Sequence, residues 1–244
     1  MKTTEQLKAD GSVSDVTSGS DSTPPSPAAA PNPGLVSRVV GCVLGAAIGD
    51  ALGHPTEFIN SFDRLFERFG PQGVTGYELY WEHGGKRFAP YTDDTQMAEL
   101  VLRNLLWARE SSADLERAMT ELGVRFARWA THPQGGHRAP GNACLSGSYR
   151  LAEGVPWHEA GGAQAGGCGS VMRVYPMGLL FSHESDELER WAVAQSKLTH
   201  RAPIALAACA SMARGTSLAL RGEQVPRILE EMVAAAARHD PGTA

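Results

Sequence analysis

Three short stretches of this sequence bring together groups able to do chemistry. In Tyr91-Thr92-Asp93-Asp94-Thr95-Gln96-Met97, two adjacent carboxylates and a hydroxyl offer hard oxygen donors of the kind Mg²⁺ or Mn²⁺ takes. The same residue types cap helix N-termini and complement the helix dipole, and read alone the stretch is more simply a cap than a metal site. In Gly49-Asp50-Ala51-Leu52-Gly53-His54-Pro55-Thr56-Glu57, an aspartate closes an apolar helix and a glutamate follows. A half-buried carboxylate there needs a partner, although a solvated helix end with a turn at 53–55 is the plainer reading. In Gly166-Gly167-Cys168-Gly169-Ser170-Val171-Met172-Arg173, a glycine-rich loop enters a helix, and its free amides suit a phosphate or diphosphate. It is not the dinucleotide fingerprint, because no strand precedes it and the glycine spacing differs. A flexible turn is the default for such a loop.

Single residues say less. His200, in Leu198-Thr199-His200, ends a helix, where a polar or cationic side chain is ordinary. His132, His137 and His158 lack ligand-like spacing, and the five tryptophans suit a core or its rim.

The elements that must position these groups read mostly as helices. Ser37 caps a helix through Val39, Val40, Val43, Leu44, Ala47 and Ile48, with Gly41, Gly45 and Gly49 making one face bare enough for close backbone approach. Residues 93–110 carry Met97, Leu100, Val101 and Leu105 on one stripe, and Asp93 with Gln96 resembles a capping box. Ser112 caps a third helix bearing Leu115, Ala118, Met119, Leu122 and Phe126. Further helices are expected over 144–153, 171–181, 187–198, 202–221 and 225–238. No alternating apolar run argues convincingly for a strand beyond one or two around 74–81. The expected fold class is all-α.

Composition narrows the function classes. Of 244 residues, 42% are hydrophobic and 20% charged, near ordinary soluble usage. The net charge of −5 and the scattered basic residues give no electrostatic footprint for nucleic acid. Cys42, Cys144, Cys168 and Cys209 are widely spaced and form no Cys-x-x-Cys pair, so they read as small apolar fillers in a reducing cytosol. No apolar run suits a signal peptide, and Val39–Gly49 falls short of the roughly 20 residues that span a bilayer, so a soluble cytoplasmic protein without membrane contact is expected. Residues 1–34, rich in Ser, Thr, Asp, Pro and Ala and without an aromatic residue, are expected to form a disordered tail ahead of one domain over 35–244.

Taken together and in order, the stretches resemble one family. The run from Gly41 to Gly53 with Thr56-Glu57 looks like the N-terminal signature of the ADP-ribosylglycohydrolases, particularly the bacterial, dinitrogenase-reductase-activating type, and Tyr91 to Met97 resembles that family's first metal motif. Pro140-Gly141-Asn142-Ala143-Cys144-Leu145, Gly167 to Pro176 and Leu198-Thr199-His200 are similar to three further segments. The resemblance implies an all-α fold around two divalent cations, Mg²⁺ or Mn²⁺. It implies hydrolysis of the glycosidic bond between ADP-ribose and a protein side chain, often arginine. Thr92, Asp93 and Asp94 would bind the first metal. Glu57 would sit at the scissile bond as a metal-gating or acid/base residue, and Gly166, Gly167, Cys168, Gly169, Ser170 and His200 would contact ADP-ribose. The expected partners are an ADP-ribosylated protein or a small molecule containing ADP-ribose.

The sequence departs from the pattern in one large respect. The family carries a second Asp-x-Asp-Thr or Asp-x-Asp-Ser motif towards its C-terminus. After Thr95 none occurs here, so the domain is expected to be incomplete at its C-terminal end. A smaller departure is Ala165-Gly166, where bacterial relatives carry polar residues. The alternative reading is a non-catalytic protein that binds ADP-ribose or blocks an ADP-ribosyltransferase.

Overall fold

The computed structural model describes residues 33–183 and 185–242. Of the expected tail, residues 1–32 lie outside the described residues, while Pro33 and Gly34 open the first helix.

The order is α1 (Pro33–Gly53), α2 (Phe62–Phe69), a hairpin of β1 (Trp81–His83) and β2 (Lys86–Phe88), α3 (Asp93–Glu110), α4 (Leu115–Thr131), α5 (Asn142–Ala152), α6 (Trp157–Ala160), α7 (Tyr175–Leu180), α8 (Ser185–Lys197), α9 (Pro203–Arg221) and α10 (Val225–His239). The fold is therefore all-α as expected, with one two-stranded antiparallel sheet that pairs Trp81 with Phe88. That hairpin falls just after the stretch where strands were anticipated.

The helical stripes meet in one core. Met97, Val101 and Leu105 of α3 pack with Met119, Leu122 and Phe126 of α4, Leu188 and Trp191 of α8, and Cys209 and Ala213 of α9. Each large side chain fully withdrawn from water there contributes roughly 1.5–3 kcal/mol. Small residues allow the tightest approaches. A β-carbon on Gly178 of α7 would lie 2.6 Å from the Ala213 carbonyl oxygen of α9, and one on Gly215 would lie 2.5 Å from Met232 Sδ of α10.

Several local expectations shift. Asp114, not Ser112, caps α4, accepting from the Arg117 amide at 2.9 Å, while Ser112 takes φ 50° in the turn before it. Of the helix expected over 171–181 only the short α7 forms, with Pro176 in its first turn, and a 3₁₀ turn at Cys168–Ser170 precedes it. The helix α2 was not anticipated; Ser61 caps it, accepting from the Arg64 amide. The glycine face of α1 is not a close backbone contact, since β-carbons at Gly41, Gly45 and Gly49 would meet nothing within 4 Å. Leu35, Val40, Leu44 and Ile48 are exposed on the same helix. By length and composition alone α1 and α9 satisfy the requirement for crossing a bilayer, α9 being half buried within the domain and α1 hardly at all.

Candidate active site

The site is built where the end of α1 meets the start of α3. Thr92 caps α3, its Oγ1 accepting from the Asp94 amide at 3.3 Å. The capping box expected between Asp93 and Gln96 does not form. Gln96 turns away, donating to the Gly136 carbonyl at 3.1 Å and accepting from Trp129 Nε1 at 3.2 Å. A tertiary cap replaces it. The Asp50 carboxylate accepts from the Thr92 amide at 2.8 Å, Thr92 Oγ1 at 2.7 Å, the Thr95 amide at 3.1 Å and Thr95 Oγ1 at 2.6 Å. Asp50 stands near the negative pole of its own helix and against the positive pole of α3, so the contact between helices removes an unfavourable placement and creates a favourable one.

Asp93 is 3% exposed. Its amide donates to the Arg138 carbonyl at 2.9 Å, and its carboxylate accepts from the Gly141 amide. Between those residues Ala139 adopts φ 55°, an uncommon conformation for a residue with a β-carbon. Arg138 lies 4.1 Å from the Tyr91 ring centroid and 5.2 Å from that of Trp81, which ties the hairpin to this loop. Burial, then the neighbouring Asp94 and Glu57, push the Asp93 carboxyl up to about 7. Burial, then Asp50 and Glu57, push Asp94 up to about 6. Glu57 itself is exposed and paired with His54, whose Nδ1 lies 3.0 Å from Oε2.

Four carboxylates thus share one corner of the domain. Among the described residues no three His, Cys, Asp or Glu side chains converge as a full metal-ligand set. The donors on the first turn of α3 nevertheless fit a hard divalent cation: Asp93, Asp94 and the Thr92 hydroxyl are all oxygen ligands, and a doubly charged ion would offset the burial and the repulsion that raise both carboxyls.

The glycine loop forms the second part of the site. Cys168–Ser170 is a 3₁₀ turn with Gly167 at its N-cap, and a turn of this kind leaves its first amides without partners inside it. His200 lies against this loop. A β-carbon on Gly169 would be 2.9 Å from His200 Cε1 and 2.6 Å from Cys144 Sγ, and one on Gly167 would be 3.9 Å from His200 Nε2. Gly166 sits instead beside Ala202 and Ile204 at the start of α9. Cys168 is exposed. Ser170 differs from the other loop residues: its side chain is fully buried, with its Oγ 2.8 Å from Ser196 Oγ and 3.3 Å from Cys209 Sγ. Its hydroxyl is therefore turned to the interior.

Sequence reasoning missed the residue beneath both parts. Arg173 is fully buried. It donates to the Gly169 carbonyl at 2.7 Å, Gln195 Oε1 at 3.0 Å and Thr199 Oγ1 at 2.7 Å, and its guanidinium carbon lies 4.7 Å from the Phe126 ring centroid. Burial lowers its pKa, with Cys144 and Cys209 acting against that shift. Burial, then Arg173, push His200 down to about 4, so the imidazole is neutral near pH 7. The only sequence signal was a basic residue directly after an apolar pair, Val171-Met172.

A small cavity of about 60 Å³ joins the stretches, lined by Ala46, Asp50, Asp94, Thr95, Met172 and Tyr175 among others. The structure therefore brings Asp50, the Thr92–Thr95 turn and the segment after the glycine loop to one place. A wider cleft of about 650 Å³ between α3 and α4 includes Tyr91 and Gln96 but none of the anticipated site residues.

The domain is all-α, with a carboxylate-rich helix start beside a glycine turn, and comparison with known proteins identifies its family. The family model described as ADP-ribosylglycohydrolase matches residues 31–244. The chain is 30% identical over 204 residues to the ADP-ribosyl-[dinitrogen reductase] glycohydrolase of Rhodospirillum rubrum, covering 82% of this chain and 63% of that protein. It is 27% identical over 196 residues to an uncharacterized protein of Archaeoglobus fulgidus, covering 79% of this chain and 59% of that protein. The chain belongs to the ADP-ribosylglycohydrolase family. It spans about three-fifths of the length of these curated relatives.

Proposed function

We propose that the protein hydrolyses the glycosidic bond between ADP-ribose and a protein side chain, with arginine as the side chain and Mg²⁺ or Mn²⁺ as the required cation. The observation that carries this reading is the pair of raised carboxyls, Asp93 and Asp94, on a helix turn that Asp50 fixes through Thr92 and Thr95, close to the glycine turn. The relative from Rhodospirillum rubrum, a glycohydrolase by name, supports the bond class.

Each residue has a part in this chemistry. Thr92, Asp93 and Asp94 would hold the cation, which supplies Lewis-acid polarisation of ribose hydroxyls and a more acidic bound water. Asp50 positions the ligand turn by fixing Thr92 and Thr95. Glu57, exposed at the edge and paired with His54, would take or give a proton at the scissile bond. Rupture of the ribosyl C1 bond develops oxocarbenium-like positive charge, which a cluster of carboxylates favours. The amides of Gly167, Cys168 and Gly169, with His200, receive the diphosphate. The partner is an ADP-ribosylated protein or a small molecule containing ADP-ribose, with no part for nucleic acid or a membrane. A reducing, cytoplasmic setting accords with four cysteines that carry no disulfide.

One observation favours a second reading, that of an ADP-ribose binder without turnover: the described residues do not by themselves converge as a full metal set. Release of ADP-ribose from an ADP-ribosyl-arginine protein, with Mn²⁺ or Mg²⁺ against EDTA, separates the two. Metal-dependent release that disappears in Asp93→Ala and Asp94→Ala supports the hydrolase. Binding of ADP-ribose by a cooperatively folded chain without release supports the binder.

A further inference from the structure

A chain of three groups runs from the centre of the domain to the glycine turn, and its protons can be assigned one by one. Arg173 has only donors, and its Nη2 reaches Thr199 Oγ1 at 2.7 Å. Thr199 is fully buried, and its Oγ1 lies 2.8 Å from His200 Nδ1. The threonine oxygen accepts from the guanidinium, so its own hydrogen is free to be given away. Among the described residues Nδ1 of His200 is the acceptor within reach. If Nδ1 carried the hydrogen instead, the hydroxyl hydrogen would be left buried without an acceptor, an arrangement that buried polar groups avoid. A neutral imidazole that accepts at Nδ1 carries its hydrogen on Nε2. That atom faces Gly167 and Gly169 and has no protein partner among the described residues. It is not one of the buried polar atoms left without a bond, so it retains contact with solvent.

We propose that Thr199, held by Arg173, fixes His200 as its Nε2–H tautomer and thereby makes the ring a neutral, immobile donor to a phosphate oxygen of a ligand seated on the glycine turn. Thr199 and Arg173 are positioning residues; His200 alone touches the ligand. The donor role rests on reading the turn as an ADP-ribose subsite, whereas the tautomer follows from the protein's own hydrogen bonds. Close packing keeps the donor in place. Gly161 and Gly162 flank the His200 segment, with the Gly162 amide donating to the Thr199 carbonyl at 3.1 Å and the Arg201 amide donating to the Gly162 carbonyl at 3.0 Å. The Ser196 hydroxyl donor lies 3.1 Å from the His200 carbonyl oxygen.

The test is a two-bond ¹⁵N–¹H correlation spectrum of the full chain carrying ¹⁵N-labelled histidine, recorded at neutral pH, with His200 assigned by its loss in His200→Gln. The expected result is a hydrogen on Nε2 and none on Nδ1. Thr199→Val, which keeps the shape and removes the hydroxyl, is expected to populate the Nδ1–H form. It is also expected to weaken ADP-ribose binding in calorimetry on the order of tenfold, a size typical of one lost hydrogen bond. Thr199→Ser restores both. An Nδ1–H tautomer in the unsubstituted chain overturns the proposal without any variant. So does an Nε2–H tautomer unchanged in Thr199→Val. A chain that shows Nε2–H, switches in Thr199→Val and still binds no ADP-ribose overturns the ligand reading of the turn and supports the tautomer control.

Discussion

Replacing Asp50 by alanine tests the joint on which the site stands. The substitution removes four hydrogen bonds at once, from the Thr92 and Thr95 amides and from both hydroxyls. The hydroxyls have alternatives: Thr92 Oγ1 already lies 3.4 Å from Asp94 Oδ1, and Thr95 is half-buried and free to turn. The amides have none within the helix, because the first amides of α3 have no carbonyl behind them. A hydrogen bond to a charged acceptor contributes about 1.5–3 kcal/mol. Asp50 is partly exposed, so water recovers some of this, and the expected loss for the two amides is about 2–4 kcal/mol. For a domain of this size that corresponds to a fall in melting temperature of roughly 5–15 °C. Urea and thermal melts followed by circular dichroism measure it. The same change removes the second-ranked influence raising Asp94, so the Asp94 carboxyl moves back towards its ordinary range. A stability loss below about 0.5 kcal/mol, the size of an ordinary surface substitution, would refute the claim that Asp50 ties α1 to the start of α3.

Two further outcomes follow from the same geometry. Asp93 and Asp94 have folded pKa values of about 7 and 6 against an ordinary 3.8, so their contribution to stability is present below the unfolded value and is lost as pH rises through 6 to 7. His200, depressed to about 4, acts in the opposite sense, losing its contribution as pH falls towards that value, and must be cancelled. In EDTA, the pair Asp93→Asn and Asp94→Asn is therefore expected to be more stable than the unsubstituted chain at pH 8 and to have a clearly smaller advantage at pH 5, as read from urea melts; equal stability differences at both pH values would count against the raised carboxyls. At the other end of the site, a β-carbon on Gly161 would lie 2.5 Å from the Lys197 carbonyl oxygen and 2.7 Å from the Thr199 carbonyl carbon. Gly161→Ala is thus expected to cost about 1–3 kcal/mol and to weaken ADP-ribose binding by displacing His200, whereas a melt identical to the unsubstituted chain would show that this approach is not made.

By itself the sequence determined the periodic elements and the chemical alphabet of the site. The stripe Met97, Val101, Leu105 yields α3, and the stripe Leu115, Met119, Leu122, Phe126 yields α4, because a helix with one apolar face must bury it. The types Thr92, Asp93 and Asp94 and the run of glycines around Cys168 were legible for the same local reason: their chemistry belongs to the residues themselves. Tertiary structure alone decided what those residues face. Asp50 read more simply as a solvated helix end until α3 was placed against it, and Gln96 left its expected cap to bind Trp129 and Gly136, partners 33 and 40 residues away. Arg173 carried only a faint signal in the sequence, because a buried cation is recognised by the acceptors around it, Gly169 on the glycine turn and Gln195 and Thr199 on the stretch at the end of α8. The pKa values of Asp93, Asp94 and His200 belong to the same class. They are set by burial and by neighbours brought close only by folding, and a one-dimensional spacing carries neither quantity.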